Sequence, residues 1–413
     1  MDKNRSNPKD FSRDRKLDFK HLLLFIMSFT KYAVQTELDR FFKSLTQSDE
    51  PFETISKSAF TQSRKKLLPS AFIELYEEQL TYFEQNAPHK QSWKGYRLVA
   101  IDSSLLNLPN SVPIKEHFGF VHNQHEQMNR ARCSFAYDIC NELILDAQIV
   151  AHRSCEKELA VAHLSKLNPK TDLLIFDRGY PALWLMGLLQ QKGFKFCFRL
   201  STGWKDAVSL ANSKKENDID WTSKRRSNKD LGHLETYQLP TEITGMRLSK
   251  IELSTGETEI LATNLLDREE FNIETLKELY SKRWAIEESY KMFKKSIHIE
   301  YFTGKSVRAV EQEFYSKVFM LNMASMIRTQ YIEPLKLYKK EPKHKLKANK
   351  TQVLAKTKDF LIELFTPIDI TKILSQMKKI LDKCFDIIRP NRSFKRYDAS
   401  SRRRQKSMNY KGI

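Results

Sequence analysis

The sequence predicts an α/β fold in which a mixed β-sheet lies between two helical regions. Helical periodicity runs through residues 19–83 and returns beyond residue 274. Between them, residues 96–200 alternate apolar, β-branched segments with amphipathic ones in the order β-ββ-α-β-α-β. That order is typical of a mixed sheet with helices on its faces. The chain has 413 residues, which is enough for two or three structural units.

Residues 1–88 are predicted to form an all-α N-terminal domain. Within it, Ser56–Lys66 is a short helix whose basic end includes Arg64 and Lys65, and Pro69 separates it from the next helix. Short helices around polar turns are typical of a helix-turn-helix DNA reader and equally of a plain bundle with solvated lysines. The DNA-reading interpretation makes Arg64 and Lys65 candidate DNA contacts.

Two predicted strands end in aspartates. Residues 96–104 form an apolar strand that delivers Asp102, and residues 172–180 form a second strand that delivers Asp177. Because strand ends meet at one edge of a sheet, we expect both carboxylates at a common ligand site. Arg199, at the end of the predicted fifth strand, is a candidate phosphate contact at the same edge.

The segment between the fifth strand and residue 265 has a different character. Residues 201–232 are mainly polar and charged, whereas residues 233–240 and 246–266 alternate like exposed strands around a hairpin turn at Thr255-Gly256. We therefore predict a β-rich insertion over residues 201–265.

A single helix of about six turns is predicted for residues 274–297, which contain neither Gly nor Pro. Tyr280, Arg283, Glu287 and Lys294 are separated by 3, 4 and 7 residues and would share one face of that helix. One acid beside two bases and a phenol is suited to holding a metal next to bound phosphates. Ordinary solvated salt bridges are the alternative interpretation.

Three acids together decide between those interpretations. Two-metal phosphodiester cleavage needs carboxylates that bridge two divalent ions about 3.5–4 Å apart. Asp102, Asp177 and Glu287 supply them, two from strand ends and one from a helix. Hard oxygen ligands of this kind select Mg²⁺, with Mn²⁺ as a substitute. We therefore predict two Mg²⁺ ions and a metal-dependent enzyme acting on phosphodiesters.

Composition restricts the partners. The formal net charge is +19, from 70 Lys and Arg against 51 Asp and Glu, which favours a polyanion such as DNA. No apolar run approaches the 18 residues of a membrane span, and no glycine-rich nucleotide-binding loop is present. The N-terminal residues have no apolar signal-peptide region, and the five cysteines form no CxxC pair. We expect a cytoplasmic, nucleoid-associated protein without a nucleotide cofactor.

These residues carry a resemblance to a known family. The spacing Y-x2-R-x3-E-x6-K at residues 280–294 resembles the signature of bacterial insertion-sequence DDE transposases of the IS-four family. DSS at 102–104, DRGY at 177–180 and RPNRSFKR at 389–396 also resemble motifs of that family. The resemblance covers essentially the whole chain.

The resemblance implies an architecture and a reaction. It implies a ribonuclease H-like catalytic domain over residues 89–330, interrupted by the insertion. Residues 1–88 would recognise transposon ends, and residues 331–413 form a basic helical C-terminal region. The reaction would be cut-and-paste transposition of double-stranded DNA by a synaptic homodimer.

Roles for individual residues follow from the same resemblance. Asp102, Asp177 and Glu287 would bind the metals, and Tyr280, Arg283 and Lys294 would hold phosphates of the transposon end. Trp284 lies beside the signature, where relatives stack an aromatic ring on a flipped base. An inactive, repressor-like DNA-binding protein is the alternative, and a nuclease on another substrate fits the acids alone.

Overall fold

The structure is a computed structural model of the chain, and its elements are helices on both faces of one large sheet. The part of the chain that it describes comprises residues 2–13, 15–28, 32–46, 55–122, 127–224, 228–253, 256–331, 346–364 and 369–387. The RPNRSFKR segment lies outside these residues.

In the described residues, four helices precede the sheet, as predicted. They are α1 (Phe19–Met27), α2 (Val34–Thr46), α3 (Lys57–Arg64) and α4 (Ser70–Asn86). Two of them begin at side-chain caps: the Asp18 carboxylate accepts from the His21 amide at 2.7 Å, and the Ser56 hydroxyl accepts from the Ala59 amide. The apolar faces of these helices belong to the same hydrophobic cluster as the later helices that cover the sheet.

Nine strands of the described chain form the central sheet. They are β1 (Arg97–Asn107), β2 (Phe120–His122), β3 (Gln127–Asp138), β4 (Leu143–Ala151), β5 (Asp172–Phe176), β6 (Lys195–Leu200), β7 (Asp218–Lys224), β8 (Glu242–Glu252) and β9 (Thr258–Thr263). In its centre the order is β4-β3-β1-β5-β6, with β4, β3 and β1 antiparallel and β1, β5 and β6 parallel. This is the ribonuclease H-like arrangement, so the predicted fold class is confirmed.

Helices complete both faces of the sheet and the C-terminal region. They are α5 (Val112–Phe118), α6 (Glu156–His163), α7 (Leu183–Gln191), α8 (Lys205–Asn212), α9 (Asn228–Tyr237), α10 (Ile273–Ser281), α11 (Trp284–Lys295), α12 (Val307–Met326), α13 (Lys350–Asp359), α14 (Leu361–Leu364) and α15 (Ile370–Leu381). A short pair, β10 (Leu346–Ala348) and β11 (Phe385–Ile387), joins the last helices. None of the helices in the described ranges has the length and apolar character needed to cross a bilayer.

The segment 201–265 differs from the exposed β-strands that we expected. Strand β9 pairs with β6, so β9, β8 and β7 extend the central sheet, and helices α8 and α9 lie between the strands. Residues 233–240, predicted as a strand, fall largely in α9, because Leu234 and Tyr237 follow helical spacing. Strand β8 is buried on both faces: Leu248 belongs to the cluster around α7, and Ile251 to the cluster under α10.

The predicted single helix over residues 274–297 is two helices, α10 and α11. The backbone at Lys282 and Arg283 stays right-handed helical. However, the amides of Arg283, Ala285 and Ile286 bond the carbonyls three residues earlier, each at 3.1 Å, as in a 3₁₀ turn. This tighter winding divides α10 from α11 shortly before Glu287. No Gly or Pro marks the turn, so the sequence contained no signal for it.

Arg64, predicted to contact DNA, is instead buried between α3 and α12. Its Nε donates to Gln312 Oε1 at 2.7 Å, and its Nη2 donates to the Ala309 carbonyl at 2.8 Å and to Glu313 Oε1 at 2.7 Å. Its Nη1 donates to the Thr303 hydroxyl. The guanidinium therefore binds the protein, and the prediction of a DNA contact is corrected. Its neighbour Lys65 is exposed, and its DNA contact stays a prediction.

We expect Arg64→Met to lower the free energy of unfolding by about 2 kcal/mol, because it removes buried charge-assisted hydrogen bonds. Glu313 keeps the amide and hydroxyl of Thr303 as donors, which limits the loss. Lys65→Met is the matched control and should change the unfolding free energy by less than about 0.5 kcal/mol. Urea denaturation measures both. An Arg64→Met protein of unchanged stability and weakened DNA binding would restore the original prediction.

Candidate active site

The two aspartates lie side by side at one edge of the sheet. Parallel strands β1 and β5 pair up to Ile101 and Phe176, and Asp102 and Asp177 are the next residue on each strand. Strand β5 ends there, whereas β1 continues to Asn107 with β3 on its other side. The carboxylates therefore project where the sheet opens.

The surroundings of these carboxyls move their pKa values in opposite directions. Burial raises the pKa of Asp102 to about 6; the Ser103 amide and the charge of Arg283 oppose this rise, and the Asp177 charge adds to it. Burial also acts to raise the pKa of Asp177. Arg283, the amide of Arg178 and the Tyr280 hydroxyl outweigh burial there and hold that pKa below its usual range. Two adjacent carboxyls with separated pKa values are typical of a functional site.

We expect Asp102→Asn to stabilise the metal-free protein at pH 8. Because the folded-state pKa is raised from 3.8 to about 6, the native protein loses stability as pH rises through this range. Removing the carboxylate should recover roughly 1 to 3 kcal/mol at pH 8 and nothing at pH 3. Asp177→Asn is the control of opposite sign, because its lowered pKa means that the charge stabilises the fold. Thermal denaturation in EDTA at both pH values measures the two variants. Stabilisation of both variants at pH 8 would contradict the opposite directions of the two pKa shifts.

Arg283 links the two aspartates to the helix. It is buried at the start of α11, and its Nη2 donates to Glu287 Oε1 at 2.7 Å. Burial acts to lower its pKa, but Tyr280, Asp177 and Glu287 raise it well above the usual arginine value. A permanently charged guanidinium therefore lies among three carboxylates, Asp102 among them.

Two further side chains fasten α11 to β1. Lys294 Nζ donates to the Ser104 hydroxyl and to the Leu105 carbonyl, both at 2.7 Å. The Tyr290 hydroxyl donates to the Asp102 carbonyl at 2.7 Å, and its ring stacks on Phe135 with centroids 4.8 Å apart. Sequence reasoning missed Tyr290, although it lies three residues after Glu287 and four before Lys294, on the same face of the helix.

The other predicted site residues, Tyr280, Arg199 and Trp284, differ in their contacts and exposure. Tyr280 is buried, and its hydroxyl donates to Asp177 Oδ1 at 3.1 Å. Arg199 is half-buried and pairs with Glu259 Oε1 at 2.9 Å, and its charge also helps to lower the pKa of Asp177. Trp284 is 42% exposed, with Lys291 Nζ lying 4.7 Å from its ring centroid. An accessible indole at this position is able to stack on a ligand.

The site fits a divalent metal through part of the predicted ligand set. Asp102 and Asp177 provide adjacent carboxylate oxygens, which are the donors that Mg²⁺ prefers. Within the described ranges, no three His, Cys, Asp or Glu side chains lie close enough together to hold a metal ion. The Glu287 carboxylate is bound by Arg283 instead. Glu287 would therefore have to exchange its arginine partner to complete the triad.

A ribonuclease H-like sheet with paired aspartates beneath a glutamate-bearing helix defines the class of DDE nucleases and transferases. The family model described as "Transposase DDE domain" matches residues 93–323, which is more than half of the chain. The chain belongs to this family. This match and the relative described next confirm the resemblance to insertion-sequence transposases of the IS-four family.

That relative is "Transposase InsG for insertion sequence element IS4" of Escherichia coli (strain K12). It is 23% identical over 302 residues, which is 70% of this chain and 64% of the relative, so the match spans less than two thirds of the relative's length. Among solved structures, the chain is similar to the cryo-EM structure of a piggyBac transposase synaptic complex with hairpin DNA. The TM-score is 0.46 at 10% identity, covering 91% of this chain and 79% of that one.

Proposed function

We propose that this protein is a DNA transposase that excises an insertion sequence and joins it to new DNA. The observation that carries the proposal is the register of β1 and β5, which sets Asp102 beside Asp177 under the Arg283–Glu287 pair. Membership of the transposase DDE-domain family supports it. The net charge of +19 suits a polyanionic substrate.

Asp102, Asp177 and Glu287 would hold two Mg²⁺ ions, or Mn²⁺ in their place. Bound there, the ions would neutralise the scissile phosphate and lower the pKa of the attacking water or hydroxyl. The Glu287 carboxylate and the Asp177 carboxylate share the charge of Arg283 in the DNA-free protein. A DNA phosphate reaching Arg283 would compete for that guanidinium and free Glu287 as the third ligand.

The phosphate-binding residues follow from the same geometry. Along the helix, the cation of Arg283 precedes Glu287 and that of Lys294 follows it, and Tyr280 adds a hydroxyl at Asp177. We assign these three to the phosphates next to the scissile bond, which orients the bond for in-line attack. Arg199, Trp284 and Lys65 would contact DNA farther from the reacting atoms.

The reaction sets further requirements. Hydrolysis at each transposon end frees a 3′-OH, which then attacks a target phosphate, so two ends must be held together. A homodimer in the synaptic complex meets that need, with one site for each end. The helices of residues 1–88 would recognise the terminal inverted repeats.

The test uses labelled DNA carrying the inverted repeats that flank the coding region. We expect nicking at the repeat boundary in Mg²⁺ or Mn²⁺, with a 3′-OH product, and joining of that end to plasmid DNA. DNA with scrambled repeats is the control and should stay intact. Binding without cleavage in either metal would establish the inactive, repressor-like alternative. Absence of binding as well would contradict the proposal as a whole.

A further inference from the structure

A groove runs along β1 away from the paired aspartates. Since β5 ends at Phe176, the edge of β1 is open beyond Ile101. The groove there has a volume of about 570 Å³. Its lining includes Ser103 and Asn107 of β1. Its charged lining consists of three cations, Arg130, Arg132 and Lys294, and two carboxylates, Glu156 and Glu300, of which Glu300 accepts from the Asn107 amide. It therefore begins beside Asp102 and follows the strand direction.

Three cations reach this groove from two elements. Arg130 and Arg132 are alternate residues of β3 and so project from the same face of the sheet, while Lys294 reaches in from α11. Arg130 Nε donates to Asn107 Oδ1 at 3.1 Å, and Arg132 Nη1 donates to the Ser103 hydroxyl at 2.8 Å. These contacts hold both guanidiniums against side chains of β1.

A carboxylate already occupies the position next to Arg132. Glu156, the first residue of α6, forms an ion pair with Arg132 Nη1 and also accepts from the Ser103 hydroxyl. Its side chain is 37% exposed, compared with 18% for that of Arg132. A carboxylate that bridges a guanidinium and a hydroxyl makes the same two contacts as a phosphate would. Partly exposed ion pairs of this kind are weak enough for a competing anion to replace.

We infer that Arg132 binds a backbone phosphate of the DNA strand that leaves the catalytic acids along this groove, and that Glu156 holds Arg132 until that phosphate displaces it. The inference rests on the proposed function, since it extends the path of the same substrate. Ser103, adjacent to Asp102, would donate to the same phosphate. Arg130 and Lys294 would neutralise its neighbours along the strand.

A nucleic acid strand suits the groove better than a small anion does. The cations are distributed along β1 instead of converging on one point, which matches a repeating backbone charge. The groove is also continuous with the site of Asp102 through Ser103, whose amide donates to the Asp102 carboxylate at 2.8 Å. A planar guanidinium can bind two phosphate oxygens at once, so Arg132 would position the strand as well as neutralise its charge.

The experiment replaces DNA phosphates one at a time by uncharged methylphosphonates and measures binding in EDTA, where no cleavage occurs. The native protein should lose affinity at each contacted phosphate. Arg132→Gln should bind the unmodified end about tenfold more weakly, because one charge-assisted contact is lost. At one position next to the scissile phosphate, a methylphosphonate should no longer reduce the affinity of this variant. The slope of log affinity against log salt concentration should also fall by about one.

Glu156→Gln is the second variant, and it tests the inference even if Arg132→Gln does not fold. It removes the competing charge and keeps the shape, so we expect binding about two- to fivefold tighter, by the weak energy of an exposed ion pair, at the same phosphates. The matched control is Lys192→Gln, an exposed cation at the end of α7 on the opposite edge of the sheet, which should leave the pattern of sensitive phosphates unchanged.

An unchanged pattern in Arg132→Gln would overturn the inference, as would weaker binding by Glu156→Gln. Either result would leave the proposed function intact, because the native protein would still bind the ends. Failure of the native protein to bind the ends would instead contradict the proposed function itself.

Discussion

Glu287→Gln should lose DNA cleavage by at least about a hundredfold while still binding DNA ends. The change keeps the size of the side chain and its contact with Arg283 Nη2, but removes the charge that a metal ligand needs. Changes in the outer shell of a metal site already cost about 10- to 100-fold, so loss of a direct ligand should cost more. Cleavage rates and binding constants for labelled inverted-repeat DNA, measured on the same preparations, separate the two effects.

The control for this prediction is the next residue of the helix. Glu288 is also a glutamate of α11, but it pairs with Lys291 and Trp284 on the exposed side. Glu288→Gln should therefore cleave at close to the native rate. Equal cleavage by Glu287→Gln and the native protein would remove Glu287 from the reacting centre, even if both proteins bind DNA.

Glu142→Gln should lower the free energy of unfolding at pH 7 by about 4 kcal/mol. Glu142 lies at the tip of the β3–β4 hairpin, where Arg328, Lys347 and Lys350 all contact its carboxylate. Breaking a buried ion pair leaves uncompensated charge, and here three cations would lose one shared partner. This cluster joins the C-terminal region to the sheet. Glu235→Gln, an exposed glutamate of α9, is the matched control and should unfold like the native protein.

The loss in Glu142→Gln should also depend on pH. Burial acts to raise the pKa of Glu142, but Lys350, Arg328 and Lys347 outweigh burial and hold it well below its ordinary value of 4.5. A lowered carboxyl pKa gives stability that is complete above about pH 4.5 and is lost as pH falls below it. In denaturation experiments, the difference in unfolding free energy between the native protein and Glu142→Gln should therefore be large at pH 7 and small at pH 3. A difference of equal size at both pH values would assign the effect to packing instead of charge.

The parts of the site that local sequence determines were predictable. Asp102 and Asp177 each follow an apolar strand, and Tyr280, Arg283, Glu287 and Lys294 share a helical face, so their types and spacings could be recognised. Their approach depends on the pairing of Ile101 with Phe176, which links residues far apart in the chain. Strand register is set by packing on both faces, which no single segment encodes.

The errors have the same origin. Arg64 ends a helix with two lysines after it, which is typical of an exposed basic cluster, yet most of its partners lie on α12, some 250 residues later. The 3₁₀ turn at Arg283 consists of ordinary helix-forming residues, so local sequence does not mark it, whereas the contacts of α11 with β1 that follow it are long-range. The β-rich insertion predicted for residues 201–265 holds β7, β8 and β9, but its burial in the central sheet was missed, because the pairing of β9 with β6 is also long-range. The predicted domain boundaries stay predictions.

In the proposed mechanism, Asp102, Asp177 and Glu287 together hold the metals. The most direct measurement is anomalous diffraction from Mn²⁺ in crystals of the protein bound to an uncleavable transposon end. We predict two Mn²⁺ peaks about 3.5–4 Å apart, coordinated by these three carboxylates, with Glu287 released from Arg283. Mn²⁺ bound elsewhere, with Glu287 still paired to Arg283 in the DNA complex, would show that these three carboxylates do not form the metal site.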